Sequence, residues 1–156
     1  MLDALARIRR TNMGIGCDSE NDGAFPGISM EEDLMARILV VDDDPSVIEL
    51  LTEFLTAKNH TVISAFDGEE ALRKLKEERP HLIFLDYLMP KTNGLDVLKK
   101  IREIDKEVGV IMVTAIHEEE TGRQALKLGA FDFITKPIDL AYLEKSLWHK
   151  IALMTL

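Results

Sequence analysis

Between Arg37 and Leu153 the chain alternates, five times over, a short run rich in β-branched residues with a longer stretch whose apolar residues recur at helical spacing. That alternation constrains the fold more than any other feature. The short runs are Arg37–Val41, Thr61–Ala65, Leu82–Leu85, Val108–Val113 and Phe131–Thr135. The spacing between them predicts helices over Pro45–Lys58, with Val47, Ile48, Leu51 and Leu55 inward, over Gly68–Glu78, with Ala71, Leu72 and Leu75, and over Gly94–Ile104, with Leu95, Leu98 and Ile101. A fourth helix covers Glu118–Leu128 and is punctuated by Gly129; a fifth runs from Leu140 to about Leu153 on a stripe of Leu140, Leu143, Leu147 and Ile151. Strands joined through helices run parallel, with right-handed crossovers covering both faces of the sheet. Five such units cannot close an eight-stranded barrel, so the expected class is α/β with an open, doubly wound sheet.

The composition, 46% hydrophobic and 30% charged over 156 residues, supplies the core of one soluble domain and argues against a disordered or low-complexity polymer. Setting 19 Lys+Arg against 28 Asp+Glu leaves a net charge of −9, which repels phosphate backbones and anionic lipid. Neither direct nucleic-acid binding nor membrane attachment is expected. A single cysteine, Cys17, allows no intrachain disulfide, no secretory signal is evident, and no apolar run approaches the roughly 20 residues of a helical span. The expected location is the cytoplasm. Residues 1–35 are different material: a short helical stretch from Leu2 to Arg10, then Gly14, Gly16, Gly23, Pro26 and Gly27 among polar residues, with 7 acids against 3 bases. They read as an N-terminal extension or linker, with Met30 and Met35 as alternative starts. The domain itself is placed at residues 36–152, with a tail at 153–156.

In an open α/β sheet ligands bind beyond the carboxyl ends of the strands, where the winding reverses. Here the first run ends in Asp42-Asp43-Asp44, the third in Asp86, the fourth in Thr114 and the fifth in Lys136-Pro137, whereas the second ends in Ala65-Phe66-Asp67-Gly68, an ordinary helix start. Asp44 before Pro45 fits an N-cap with proline at the first helical position. Asp42 and Asp43 are left without a capping duty, and a hard, oxygen-seeking cation such as Mg²⁺ would relieve their repulsion. Thr114 can also be read as a hydroxyl bonded to backbone, and Asp86 as a turn residue. Lys136 among Ile134, Thr135, Pro137 and Ile138 needs an acidic partner. Three carboxylates, one divalent cation and one ammonium sum to near neutrality, and an incoming phosphoryl group would find a metal and an ammonium for its oxygens. A carboxylate can then act as nucleophile and form an aspartyl phosphate.

The segments Ile38-Leu39-Val40-Val41-Asp42-Asp43-Asp44, Leu85-Asp86-Tyr87-Leu88-Met89-Pro90 with Asn93-Gly94, Val113-Thr114-Ala115 and Phe133-Ile134-Thr135-Lys136-Pro137 closely resemble the receiver domain of bacterial two-component response regulators, the CheY-like family. The resemblance runs from about Ala36 to Ile151. It implies a flavodoxin-like strand order 2-1-3-4-5, with Asp86 as the phosphoacceptor for a sensor histidine kinase or phosphotransfer protein. Asp43 and Asp86 would ligate Mg²⁺ (or Mn²⁺) directly, Asp42 through water, and the Leu88 carbonyl would complete the protein ligands. Thr114 matches the switch hydroxyl, Lys136 the phosphate-contacting lysine, Pro137 a cis peptide after Lys136, and Phe133 the aromatic switch without the tyrosine hydroxyl common there. Leu88 and Ile116 stand apolar where some relatives position the hydrolytic water, which implies slow self-dephosphorylation.

The expected role is a phosphorylation-controlled single-domain receiver, not an enzyme in the turnover sense, that signals through a downstream protein effector and can form a phosphorylation-linked homodimer. Trp148, beside the stripe of the last helix, is a candidate partner-facing residue; His117 and His149 lack companions at ligand spacing and read as surface residues. Two alternatives stay open: the receiver part of a longer DNA-binding regulator, and an Asp-nucleophile phosphatase of haloacid-dehalogenase type. In the latter the nucleophile comes on the first strand with another Asp two residues later, whereas Asp86 is followed by Tyr87 and Leu88.

Overall fold

The structure, a computed structural model, describes residues 35–153, with the side chains of Trp148, Lys150, Ala152 and Leu153 excepted. The expectations for residues 1–34, for the Trp148 side chain and for 154–156 lie outside the described residues. In chain order the elements are β1 (Arg37–Val41), α1 (Pro45–Ala57), β2 (Thr61–Ala65), α2 (Gly68–Glu78), β3 (Leu82–Asp86), α3 (Gly94–Ile104), β4 (Gly109–Thr114), α4 (Glu119–Lys127), β5 (Asp132–Thr135) and α5 (Leu140–Leu153). All pairings are parallel, and the sheet order is β2-β1-β3-β4-β5. Two bounds carry meaning. The third and fourth strands run one residue beyond their apolar stretches, so Asp86 and Thr114 still pair within the sheet, and β3 is buried to its last residue.

The two-residue period of a strand sorts the apolar residues into two cores. Leu39, Val41, Ile83, Leu85, Val110 and Met112 face one side, where Ala71 and Leu75 of α2, Leu95, Leu98 and Ile101 of α3 and Ala125 of α4 cover them. Ile38, Val40, Leu82, Phe84, Ile111 and Val113 face the other, under Ile48, Leu51 and Leu55 of α1 and Leu143, Leu147 and Ile151 of α5. Central strands apolar on both sides have no solvent face to offer, which is why they read as continuous apolar runs with a polar residue only where they end. With α1 on one face and α2 on the other, the winding reverses between β1 and β3. Among the described residues no helix is long and apolar enough to cross a membrane.

Side-chain hydrogen bonds set the helix starts. Asp44 accepts from Ser46 N–H at 2.9 Å ahead of Pro45, Asp67 from Glu70 N–H at 2.8 Å, and Asn93 from Leu95 N–H at 2.8 Å. α4 has no side-chain cap at Glu118. At the sheet's margin Thr61 N–H and Ala65 C=O bond to β1, so the alternate Ser64 carbonyl points outward, where the Lys74 ammonium of α2 donates to it and also pairs with Glu70 at 2.9 Å.

Two glycines make opposite demands. A Cβ on Gly94 would sit on backbone that cannot move, the Asp86 carbonyl and Tyr87 Cα at 2.7 Å, whereas one on Gly122 would meet the Phe133 ring at an ordinary 3.5 Å. Gly94→Ala is therefore expected to destabilise the domain by about 2–3 kcal/mol through overpacking. Gly122→Ala is expected to stabilise it by about 0.5–1 kcal/mol, because mid-helix glycine is costly. Chemical denaturation of the two variants checks both signs.

Candidate functional site

Parallel strands deliver their last residues to one edge, and sheet order makes neighbours of residues distant in sequence. β1 and β3 lie side by side, so Asp42, just past β1, and Asp86, closing β3, meet across the reversal point. Asp42 and Asp86 are 2% and 3% exposed, while Asp43 faces solvent. One carboxylate oxygen from each of Asp42, Asp43 and Asp86 lies within 4.8 Å of the others, and no other cluster of three or more metal-ligating side chains occurs among the described residues. An all-oxygen set of this kind, with one member open to water, suits a hard divalent cation that keeps part of its hydration.

Lys136 reaches this group from the far side of β4. Its backbone N–H donates to the Thr114 carbonyl at 2.6 Å, the Lys136–Pro137 peptide is cis, and Nζ lies 2.9 Å from Asp42 Oδ2 and 3.5 Å from Asp86 Oδ1. Burial pulls the ammonium's pKa down, but the hydrogen bond to Asp42 and the two carboxylate charges outweigh it, so Lys136 sits above its ordinary value. The other oxygen of Asp42, Oδ1, accepts from Asp44 N–H at 2.9 Å, which orients the carboxylate.

Asp86 is the anomalous group. Burial, then the Asp42 charge, push its carboxyl up to about 7; Lys136 opposes them, Asp43 adds to the rise, and a hydrogen bond from the Leu88 amide helps the ionised form. A carboxylate so poorly stabilised by its surroundings would gain from nearby positive charge, and the cluster of oxygens is where a cation would provide it.

Thr114 is fully buried, and its Oγ1 accepts from Ile116 N–H at 3.1 Å, which leaves the hydroxyl hydrogen to donate elsewhere. Phe133, half-buried on β5, lies against Gly122 of α4. Leu88 is 54% exposed beside Asp86, and its backbone bridges to Asn93, while Gly94 N–H bonds to the Tyr87 carbonyl at 2.8 Å and closes the β3–α3 turn. His117 and His149 are exposed. Two contributions escape sequence reading because backbone supplies them: the Asp44 amide on Asp42 and the Leu88 amide on Asp86. Composition carries no signal for either.

The response regulator receiver domain profile matches residues 38–147. Among curated proteins, the alkaline phosphatase synthesis transcriptional regulatory protein PhoP of Bacillus subtilis is 45% identical over 101 residues, 65% of this chain and 42% of that protein. The probable C4-dicarboxylate response regulator DctR of the same organism is 41% identical over 113 residues, 71% and 50% respectively. The chain thus spans half or less of the length of these relatives. Among solved structures, a CheY-like receiver domain protein from Methanospirillum hungatei superposes with a TM-score of 0.74 at 28% identity, covering 77% of this chain and 96% of that one. A chain of a CheX-CheY-BeF3-Mg²⁺ complex from Borrelia burgdorferi gives 0.70 at 35% identity, covering 72% and 87%. Matched over most of its described length by the family profile and by curated response regulators, and built on the same doubly wound sheet, the chain belongs to the response regulator receiver domain family of two-component systems.

Proposed function

We propose that this receiver accepts a phosphoryl group on Asp86 from the phosphohistidine of a sensor kinase or phosphotransfer protein, and that the modification alters a surface read by a protein effector. The observation that carries the reading is a buried carboxylate, Asp86, held beside an ammonium and two further carboxylates at the sheet's reversal point. In the transfer an oxygen of the ionised Asp86 carboxylate forms the new O–P bond as the donor's N–P bond breaks, and the histidine, already protonated on its other ring nitrogen, leaves as neutral imidazole. Lys136 draws a phosphoryl oxygen by charge, and the Thr114 hydroxyl donates to another. Asp42, Asp43, Asp86 and the Leu88 carbonyl would hold Mg²⁺, which supplies positive charge to the phosphoryl oxygens and to the nucleophile. That the similar Borrelia complex contains Mg²⁺ and BeF3 supports reading this acidic site as one for a divalent cation and a phosphoryl group.

Phosphorylation replaces a carboxyl with a group of about −2 charge at a site already acidic, so the Thr114 hydroxyl gains an acceptor to move toward, and the Phe133 ring follows inward by packing alone. α4, uncapped at its start and carrying Gly122 against the Phe133 ring, is the responsive element. A second reading concerns the whole protein: since the chain spans 42% and 50% of two transcriptional and response regulators, it would serve as the receiver of a longer DNA-binding regulator.

Mg²⁺-dependent, stoichiometric labelling by a small phosphodonor or a cognate kinase is expected for the wild type and lost in Asp86→Asn. Continued turnover of a phosphomonoester would instead make the protein a phosphatase. With Leu88 and Ile116 apolar beside the site, the labelled protein should survive gel filtration in Mg²⁺, and Leu88→Asn should release phosphate several-fold faster.

The raised Asp86 pKa makes a separate thermodynamic prediction. Its folded value, about 7, exceeds the ordinary 3.8, so the folded state holds the proton more tightly and loses stability as pH climbs from about 4 to about 7. In chelator, Asp86→Asn should flatten that decline and gain about 1–3 kcal/mol at neutral pH, a range discounted for partial solvent screening. Mg²⁺ should narrow the difference. Urea titrations across the pH range measure both effects.

A further inference from the structure

The start of β1 is fastened from both sides by imidazoles, at the edge of the sheet opposite the acidic site. His60, just before β2, accepts from Ala36 N–H at Nδ1 (3.1 Å), and His81, just before β3, accepts from Arg37 N–H at Nδ1 (2.9 Å). Both side chains are buried, at 9% and 6% exposure. Successive strand N–H groups point to opposite sides, so one ring stands on the β2 side and the other on the β3 side. Ordinary backbone bonds accompany each ring: Thr61 N–H to the Ala36 carbonyl and His81 N–H to the Arg37 carbonyl. Here side chains do what neighbouring carbonyls do along the rest of the ladder.

Carbonyls do not titrate, and imidazoles do. A neutral histidine has one acceptor nitrogen and an imidazolium has none, so each bond survives only while its Nδ1 is unprotonated. Charged groups of both signs stand on the elements around the two rings. β1 brings Arg37, whose guanidinium donates to the Glu78 and Arg79 carbonyls at the end of α2, and that end brings the Glu78 and Arg79 side chains themselves. From the end of α1 comes Lys58, ion-paired with Glu144 of α5. The turn leading to β4, which bonds to the His81 carbonyl through Gly109 N–H, brings Asp105, Lys106 and Glu107. Burial holds His60 below the ordinary histidine range.

We propose that His60 and His81 form a proton-operated latch on the first strand: uptake of a proton by each ring turns an acceptor into a donor, expels it from the Ala36 and Arg37 amides and frees the start of β1. The far end of the same five-residue strand leads directly into Asp42 and Asp43. Acidification therefore loosens the strand that supplies the acid pair without touching the pair itself. For a histidine whose folded value is depressed, the opened form binds more protons, so the latch strengthens as pH rises toward about 6.5 and is complete above it. This runs opposite in sign to the Asp86 effect, which separates the two.

The test uses the full chain in two parallel measurements from about pH 7.5 to about pH 5: NMR titration of the imidazoles and amide exchange protection at Ala36 and Arg37. Protection at these two amides, relative to Ile83 and Val110 in the central strands, should fall about tenfold for each unit below about 6.5, levelling off once the folded ring's own midpoint is passed. In the His60→Asn, His81→Asn double variant the Asn oxygen replaces Nδ1 as an acceptor that does not titrate, and the relative protection should become independent of pH. Imidazoles titrating at the ordinary value with Ala36 and Arg37 protection unchanged would overturn the latch, as would a double variant that keeps the wild-type profile. Should that variant fail to fold, the wild-type titration decides alone.

Discussion

Two carboxylates buried side by side, Asp42 and Asp86, are the constraint to which the rest of the architecture answers. Neither would remain charged in an apolar interior without compensation. Lys136 provides part of it, 2.9 Å from one and 3.5 Å from the other, and its stem must cross the end of β4 to do so. Parallel strands are what make this possible, because they end on the same edge. The order β2-β1-β3-β4-β5 then sets the two acids next to one another with the hydroxyl and the lysine in succession beside them. The apolar faces of the sheet carry the fold energetically, and its polar edge is tolerated on their strength.

The compensation is incomplete. An Asp86 carboxyl lifted to about 7 marks a site that added positive charge would stabilise. Such local imbalance is expected where function overrides stability. Under the proposed phosphorylation of Asp86, a site already rich in negative charge would respond to one more anion through the donors near it, and Thr114 is the hydroxyl built into the adjacent strand.

Much of this was legible in the sequence, for identifiable reasons. The five helices and five strands follow from periodicity, and every core strand read as an unbroken apolar run because both of its faces are covered. Asp42, Asp43, Asp86, Thr114 and Lys136 stood out because polar residues closed otherwise apolar strands. What remained hidden depends on backbone direction and burial, not residue type. The Asp44 and Leu88 amides on the site carboxylates are examples, as are the strand ends extended to include Asp86 and Thr114. His60 and His81 carried no signal either, since a histidine ahead of a strand looks the same whether it faces water or accepts a backbone N–H.

An open sheet ends in two rims, and each is an invitation to any extended chain with unsatisfied amides. On β2 the outward Ser64 carbonyl is already claimed by the Lys74 ammonium, itself tethered to Glu70. A foreign strand seeking to lengthen the sheet there would have to displace a charge-assisted bond and leave an ammonium beside its own backbone. The lysine thus acts as a selvedge on the fabric of strands: it finishes the rim, and it leaves encounters between molecules to the helices and loops instead of to the backbone.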